Sequence, residues 1–468
     1  MSPKDQDFSR RDFVKTAGAA TAAVVSAPRI QKVRAANDQV QYGFIGTGSR
    51  GQYLIKHINE TDRGRCVAAC DLFEPNLKAG AEATRSNPKT FKDYRELLSQ
   101  KDVDCIFIAV PLFLHFPVTR DGLLAGKHVF CEKSLVFKPE EIHALRKLAG
   151  EHPKQVLQVG LQRRYSHYYQ TARQMIEKGI LGKVTNVQAQ WHRNTFSRDP
   201  WNKPIPPGMT DKTKNWRKYR EFSGGLTAEL GSHQIDVADW MFGVRPEMVM
   251  GIGGHDYVHD GRDIYDNIQL IFKYPQGQKL MYSSISTNSH LSLFGGSRTE
   301  FGELIMGTEG TIEITVGTDD EPALGLWYRE PKKAEVTTAA SKKEPPAIAG
   351  ATLASTGAGS RALPIILPKD QVTENDSFLQ KEMKFARRWL ASKGVMALEE
   401  DKNPVNAEIE GYFESVRTGV KPKADLEVGL ADSTAVILSN LAMDEGRRVY
   451  FSEIDKMGRG DKATPKKT

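Results

Sequence analysis

Two patterns in this chain combine residue types and spacings that can do chemistry. The first is Gly46-Thr47-Gly48-Ser49-Arg50-Gly51, which follows a strand-like run over 39–45 and opens a segment of helical spacing over 52–58. In that setting G-x-G-x-x-G is a dinucleotide cradle. Gly46 allows a tight turn, Gly48 lets backbone approach a pyrophosphate, Gly51 lets helix and strand pack closely, and the helix N-terminus that Ser49 and Arg50 begin favours the anion. Asp71 follows the next strand-like run, 65–69, at about 20 residues past the last glycine, where a carboxylate hydrogen-bonds adenosine ribose hydroxyls. It favours NAD by repelling a 2′-phosphate, while Arg50 nearby leaves NADP open. A helix cap near Glu74-Pro75 is the plainer use of Asp71. The second pattern is Glu229 and His233, four residues apart in a segment of helical spacing running toward Trp240. That spacing puts both on one helical face, and an imidazole titrates near neutrality, as a proton acceptor should. The plain alternative is a surface i,i+4 pair.

These residues need a scaffold, and the pattern supplies one. Strand-like runs at 39–45, 65–69, 104–110 and 128–131 alternate with helical spacing at 114–125 and 139–148. This predicts an α/β fold with a doubly wound parallel (Rossmann) sheet over 38–160. Glu132 and Lys133 close the fourth strand-to-helix turn, and Pro111 and His115 follow the strand before it, all at the carboxyl edge where open sheets bind ligands. His115 suits capping or packing equally well. Beyond a helix at 168–178, strands are expected at 184–192, 247–252, 267–273, 279–286, 303–306 and 311–316, then helices at 377–391, 403–418 and 426–445. The stretch after strand 184–192 carries Trp191, His192, Trp201, Trp216 and Tyr219, whose rings could stack on sugar, with Arg193 or Asn194 as hydroxyl partners. A contact with a neighbouring subunit would use the same residues. Residues 330–370 show no apolar periodicity and read as an exposed insertion.

Composition narrows the classes. With 468 residues, 39% hydrophobic and 26% charged, the chain can bury substantial cores in two or three domains. No apolar run is read as approaching the roughly 20 residues of a bilayer span, so no stable membrane insertion is expected. The net charge of +7 is concentrated at the ends: 1–36 carry seven Lys/Arg against three Asp/Glu, and 456–468 carry five against one. The body between is left at −1, without the positive field that nucleic acid requires. Cys66, Cys70, Cys105 and Cys131 lie in apolar runs and read as buried small hydrophobes, with no Cys/His metal spacing and no metal expected. Ser9-Arg10-Arg11-Asp12-Phe13-Val14-Lys15, a modest apolar stretch and Val33-Arg34-Ala35-Ala36 match a twin-arginine export signal over 1–36. That predicts a periplasmic or extracytoplasmic location, the twin-arginine machinery as a partner, and a cofactor loaded before export and held tightly afterwards. The alternative is a basic arm followed by an Ala-rich helix.

GFIGTGSRG, DVDCIFIAVPLFLH, AGKHVFCEKSL, GLQRRY, GGLTAELGSHQID and ESVRTGVKPKADLEVGLADS together make the chain resemble the Gfo/Idh/MocA oxidoreductase family from about 40 to 455. The resemblance implies a second, α+β domain over 161–455 with an open, mostly antiparallel sheet, C-terminal helices that pack back on the Rossmann domain, and a homo-oligomer formed through the sheet's free face. It makes Lys133 the group that contacts the reacting hydroxyl, with Ser134 standing where the family has proline. An ammonium there polarises the oxygen. It makes His233 the general base, with Glu229 in place of the family's Asp. It brings Arg163 near the active site, with Arg164 and Tyr165 at the domain junction, and Asp236 either orienting His233 or anchoring its helix. The implied function is hydride transfer between a secondary alcohol of a sugar, sugar acid or glycoside and NAD. The alternative is an NAD-dependent glycoside hydrolase that oxidises transiently, eliminates, adds water and reduces again, using Glu229, Tyr165 or Tyr219 as an extra acid/base. A third reading is a sugar-binding protein on a retired scaffold.

Overall fold

The computed structural model describes residues 39–193, 201–288, 301–315, 324–330, 362–364, 390–395 and 403–457. The twin-arginine segment, Asn194, nearly all of 330–370, most of 377–391 and the tail past 457 lie outside the described residues.

Short apolar runs buried on both faces form the first sheet, as parallel strands covered by helices require. β1 (Val40–Ile45), β2 (Gly64–Cys70), β3 (Lys89–Phe91), β4 (Cys105–Ile108), β5 (His128–Cys131) and β6 (Leu157–Val159) pair in parallel in the order β3-β2-β1-β4-β5-β6. The strand order reverses between β1 and β4, so the loops leaving these two strands open a crevice at the carboxyl edge. The longer connecting helices are α1 (Ser49–Thr61), α2 (Glu74–Ala83), α3 (His115–Leu124) and α4 (Pro139–Glu151). Strand β3 was not expected from sequence; its Lys-Thr-Phe sits at the sheet edge, half in solvent, and has no apolar pattern to find.

After α5 (His167–Glu177), β7 (Val184–His192) begins a nine-stranded sheet with β8 (Met248–Gly254), β9 (Asn267–Lys273), β10 (Lys279–Ile285), β11 (Phe301–Gly307), β12 (Gly310–Thr315), β13 (Leu324–Arg329), β14 (Ala362–Pro364) and β15 (Val449–Tyr450). Its order is β14-β13-β12-β11-β7-β10-β9-β8-β15, and every pairing except β7 with β10 is antiparallel. Alternation in β9 buries Ile268, Leu270 and Phe272 while turning Gln269, Ile271 and Lys273 outward. The inner face receives α6 (Ser232–Phe242), eleven residues of which nine are buried.

Two C-terminal helices close the structure. From α7 (Pro404–Thr418), Tyr412 and Phe413 place their rings 5.2 and 5.6 Å from Phe107 of β4. α8 (Leu426–Glu445) lies so close to β6 that a side chain at Gly429 would overlap Val159. By length and composition α8 could cross a bilayer, which corrects the expectation that no run approaches that length. It is mostly buried within the fold, and a helix buried on most sides is apolar nearly all round. The four cysteines are free and buried, and burial pushes the Cys66, Cys70 and Cys131 thiols up to about 12.

Candidate active site

Backbone sterics build the cradle at the end of β1. Gly46 has φ +92°, and a Cβ there would stand 2.6 Å from the Ala109 carbonyl oxygen. A Cβ on Gly51 would lie 2.1 Å from the Gly46 oxygen, so only glycine lets α1 start this near the strand. Gly48 is different: the nearest atom to a Cβ there is Asn76 Nδ2 at 3.6 Å, an ordinary van der Waals contact without a clash. Gly48 is also the N-cap of α1, with no side-chain cap and no acid in the first turn. That helix end keeps its positive field for an anion. An exposed Ser49 and a cradle that a side chain would narrow fit a dinucleotide pyrophosphate.

Asp71 accepts the backbone N–H groups of Thr47 and Phe73, both at 2.8 Å, and so ties the glycine loop to the end of β2. The cap of α2 falls to Phe73, so Asp71 does not take that alternative role. Burial raises its carboxyl from the usual range while the two N–H bonds oppose the rise. Arg50, expected as a compensating charge for a 2′-phosphate, instead donates Nε to Glu132 Oε1 at 2.7 Å. Glu132 therefore acts by holding Arg50 at the crevice. Behind that pair sits Glu408 of α7, missed from sequence, with no exposure and no hydrogen bond to either oxygen. Burial, and then Glu132, push its carboxyl far above the ordinary range.

His115 places Nδ1 2.7 Å from the Ser134 carbonyl and Nε2 3.0 Å from the Val110 carbonyl. It therefore joins the turns after β4 and β5 and stands behind the crevice wall, the packing alternative. Pro111 opens the β4 turn, its carbonyl accepting from Leu114 N at 2.9 Å. The Lys133–Ser134 peptide bond is cis.

Lys133 donates to the carbonyl oxygens of Ala228 at 2.8 Å and Glu229 at 2.5 Å. An ammonium has three N–H groups, so one remains for another oxygen. The two carbonyls belong to a π-helical turn, Thr227–Gly231, that runs into α6. The turn is wide, yet four residues along it still return to nearly the same face, and Lys133 acts on both Glu229 and His233. The Glu229 side chain turns to Arg217, whose Nε donates at 2.7 Å. Burial would raise the Glu229 carboxyl, but Arg217 and Lys133 outweigh it and hold it below the usual range. Sequence reasoning missed Arg217, because nothing local links it to Glu229.

His233 is 6% exposed and its Nδ1 has no hydrogen-bond partner. Burial, then Lys133, Arg163 and Arg50, hold the imidazole well below its ordinary value, so it is neutral at neutral pH and able to accept a proton. Asp236 does not orient it; both carboxylate oxygens take Arg164 at 2.6–3.0 Å, which anchors the helix. Trp191 stacks on His233 at 6.0 Å and on Phe301 at 4.5 Å, with Arg193 4.9 Å above its ring. His192, one residue later, leaves β7 on the opposite face and bonds Ser283 Oγ at 2.8 Å, so it cannot join Trp191 at the site. Arg163 is corrected too: it is buried in an ion pair with Glu303, which also accepts from Tyr169 Oη at 2.6 Å. It supports the floor beneath Trp191, 5.7 Å from that ring, and is not placed as a substrate ligand.

Two family models match, the "Oxidoreductase family, NAD-binding Rossmann fold" over residues 40–161 and the "Oxidoreductase family, C-terminal alpha/beta domain" over 173–345, together more than half of the chain. The chain belongs to the Gfo/Idh/MocA oxidoreductase family. It is thus an oxidoreductase with an NAD-binding domain. It is similar to the 2,7-anhydro-N-acetylneuraminate hydratase of Mediterraneibacter gnavus, 28% identical over 59% of this chain and 67% of the relative. It is similar to the inositol 2-dehydrogenase of Rhizobium meliloti, 26% identical over 60% and 79%. Among solved structures, levoglucosan dehydrogenase in complex with NADH and levoglucosan shares the fold at TM-score 0.64 and 16% identity, over 88% of this chain and 99% of that one. Lys133, His233 and the glycine loop of this Gfo/Idh/MocA member come from segments up to 187 residues apart, yet Lys133 hydrogen-bonds into the turn that starts the His233 helix.

Proposed function

We propose that this protein moves a hydride between a secondary alcohol of a sugar, sugar acid or glycoside and a tightly held NAD. The observation that carries the reading is the pair of bonds from Lys133 to the Ala228 and Glu229 carbonyls, which ties the carboxyl edge of the nucleotide sheet to the helix of His233. NAD, when bound, supplies the hydride acceptor. The remaining N–H of Lys133 binds the substrate hydroxyl oxygen and stabilises negative charge developing on it. The neutral His233 takes the hydroxyl proton. Trp191, covered by Phe301 and Arg193, walls the site beside His233, and Arg193 offers donors to hydroxyls. Inositol and anhydrosugar chemistry in the names of relatives supports a polyol or sugar substrate.

Export through the twin-arginine route to the periplasm, with the cofactor loaded beforehand, follows from Arg10-Arg11 and the weak apolar stretch behind them. A homo-oligomer is proposed through the outer face of the nine-stranded sheet, where Met250, Ile252, Ile271 and Met281 are exposed together on β8, β9 and β10. A second outcome, net hydrolysis through transient oxidation, is favoured by the relative named a hydratase, whose reaction adds water.

The test is to denature purified protein, identify the released dinucleotide by mass spectrometry, and present the native form with polyols, sugars and chromogenic glycosides. Bound NAD and substrate-dependent reduction are expected. Aglycone release without net NADH would select hydrolysis, and protein that neither carries nor binds NAD would end the proposal.

A further inference from the structure

A second polar group lies near Lys133 on α8, and the hydride and proton transfers do not use it. α8 is fastened to the turn after β5: Val136 N donates to Ser433 Oγ at 3.1 Å, and a side chain at Gly429 would stand 3.1 Å from Leu135. The residue before Ser433 is Asp432, 1% exposed, and neither of its carboxylate oxygens has a hydrogen-bond partner. The Ser134 hydroxyl, where the family pattern has proline, is likewise buried without a partner and faces that carboxyl without closing a normal hydrogen bond. A buried carboxyl left this way costs free energy, so its retention calls for a use.

The charges around it are few. Asp236 and Asp239 face it from α6, but both are engaged, Asp236 by Arg164 and Asp239 by Arg245 at 3.1 Å and Tyr274 Oη at 2.8 Å. Lys133 is the cation facing Asp432 from the β5 turn. Lys133 in turn faces Glu229 of the π turn, Glu132 of its own turn, Asp432 and, as a repelling charge, Arg50 of α1 and the neighbouring His233. Of the three carboxylates, Glu229 is paired with Arg217 and Glu132 with Arg50. Asp432 alone has no ion-pair partner of its own among the described residues.

We propose that Asp432 is a positioning residue for the reaction, a buried counter-charge that keeps Lys133 protonated while the ammonium holds the substrate oxygen. This rests on the reading of Lys133 given above. Burial, followed by Asp236, pushes the Asp432 carboxyl up to about 7, so it ionises across the neutral range. Burial lowers the Lys133 ammonium from its ordinary value, and a negative Asp432 opposes that fall. The sign follows: without the Asp432 charge, Lys133 loses its proton at lower pH. Ser134 serves as the hydroxyl that can follow either charge state of the carboxyl.

The experiment compares wild type with Asp432→Asn, nearly the same in shape and without charge. Lys133 is labelled with trace acetic anhydride from pH 6 to 11, and its peptide is quantified by mass spectrometry. The labelling midpoint in Asp432→Asn is expected to fall by about one pH unit, and the alkaline limb of kcat/KM to fall with it. NAD released per chain should stay unchanged. Ser134→Ala should shift both in the same direction by less. An unmoved labelling midpoint in a variant that keeps its NAD overturns the proposal. Should Asp432→Asn not fold, the same labelling on Ser134→Ala decides, and there too an unmoved midpoint counts against it. Wild type that oxidises no sugar or polyol would sink the functional reading instead, while the labelling still reports on the Asp432–Lys133 couple.

Discussion

The carboxyl edge of the parallel sheet and the inner face of the nine-stranded sheet face the same site but are specified differently. At the first, the glycine loop and Asp71 owe their places mostly to nearby chain, although Arg50 and Lys133 there reach distant partners. Gly46 turns, Gly51 admits the helix, and Asp71 ties loop to strand within 25 residues. At the second, every group is held by something far away in sequence. His233 rests on Trp191, Trp191 on Phe301, and Arg163 on Glu303, which is 140 residues later. Damage to the first region should therefore be local and affect cofactor. Damage to the second should propagate into the fold.

The largest expected effect joins the two. His233→Ala should lower kcat about 10²–10⁴-fold, the usual contribution of a positioned base, while leaving bound NAD in place. Single-turnover reduction measured beside dinucleotide content checks this, and loss of NAD in the variant would show that the two regions are not separable. Glu303→Ala strips the partner from a buried guanidinium and should destabilise by about 3–5 kcal/mol, read from chemical denaturation. A loss under about 1 kcal/mol would mean that Arg163 finds water, and that the inner face is as tolerant as the edge.

The glycines sharpen the comparison further. Gly51→Ala forces a methyl onto the Gly46 carbonyl and should cost about 1–3 kcal/mol of stability together with NAD. Gly48→Ala meets only an ordinary van der Waals contact with Asn76 in the folded chain, so it should leave the melting temperature nearly unchanged and still lower NAD content. Equal loss of stability in both variants would contradict this difference.

The smallest effect is a slope. His233 in the folded chain sits well below 6.5, so below about that pH the unfolded chain binds a proton that the folded one does not. Its contribution to stability should therefore fall as pH drops from 6.5, by at most about 1.4 kcal/mol per pH unit. His233→Gln should flatten the stability profile between pH 6.5 and 5. An unchanged slope would mean that the imidazole is not held neutral.

Much of the site was legible before any coordinates. β9 begins and ends where the apolar alternation does, and the family resemblance singles out Lys133 and His233. Adjacent residues mark where legibility stops. Trp191 and His192 looked like one aromatic pair, but a strand sends neighbours to opposite faces, and which face meets α6 depends on how β7 packs. The motif of Arg163 suggests a ligand, but the fold engages it with Glu303, and the pairing of Glu229 with Arg217 has no local signal.

The nucleotide cradle is written locally in the chain, because glycine's freedom and the period of buried strands are properties of each residue and its near neighbours. Sequence also sets which residues are able to carry a proton or a charge. Which of those groups are charged, and which charges are already spent on one another, depends on the closed fold. Arg50 with Glu132, Arg217 with Glu229, Arg164 with Asp236, and a carboxyl at Asp432 left unpaired near Lys133 are outcomes of long-range packing. Electrostatic strength depends on distance and burial, and neither exists until the chain has closed on itself.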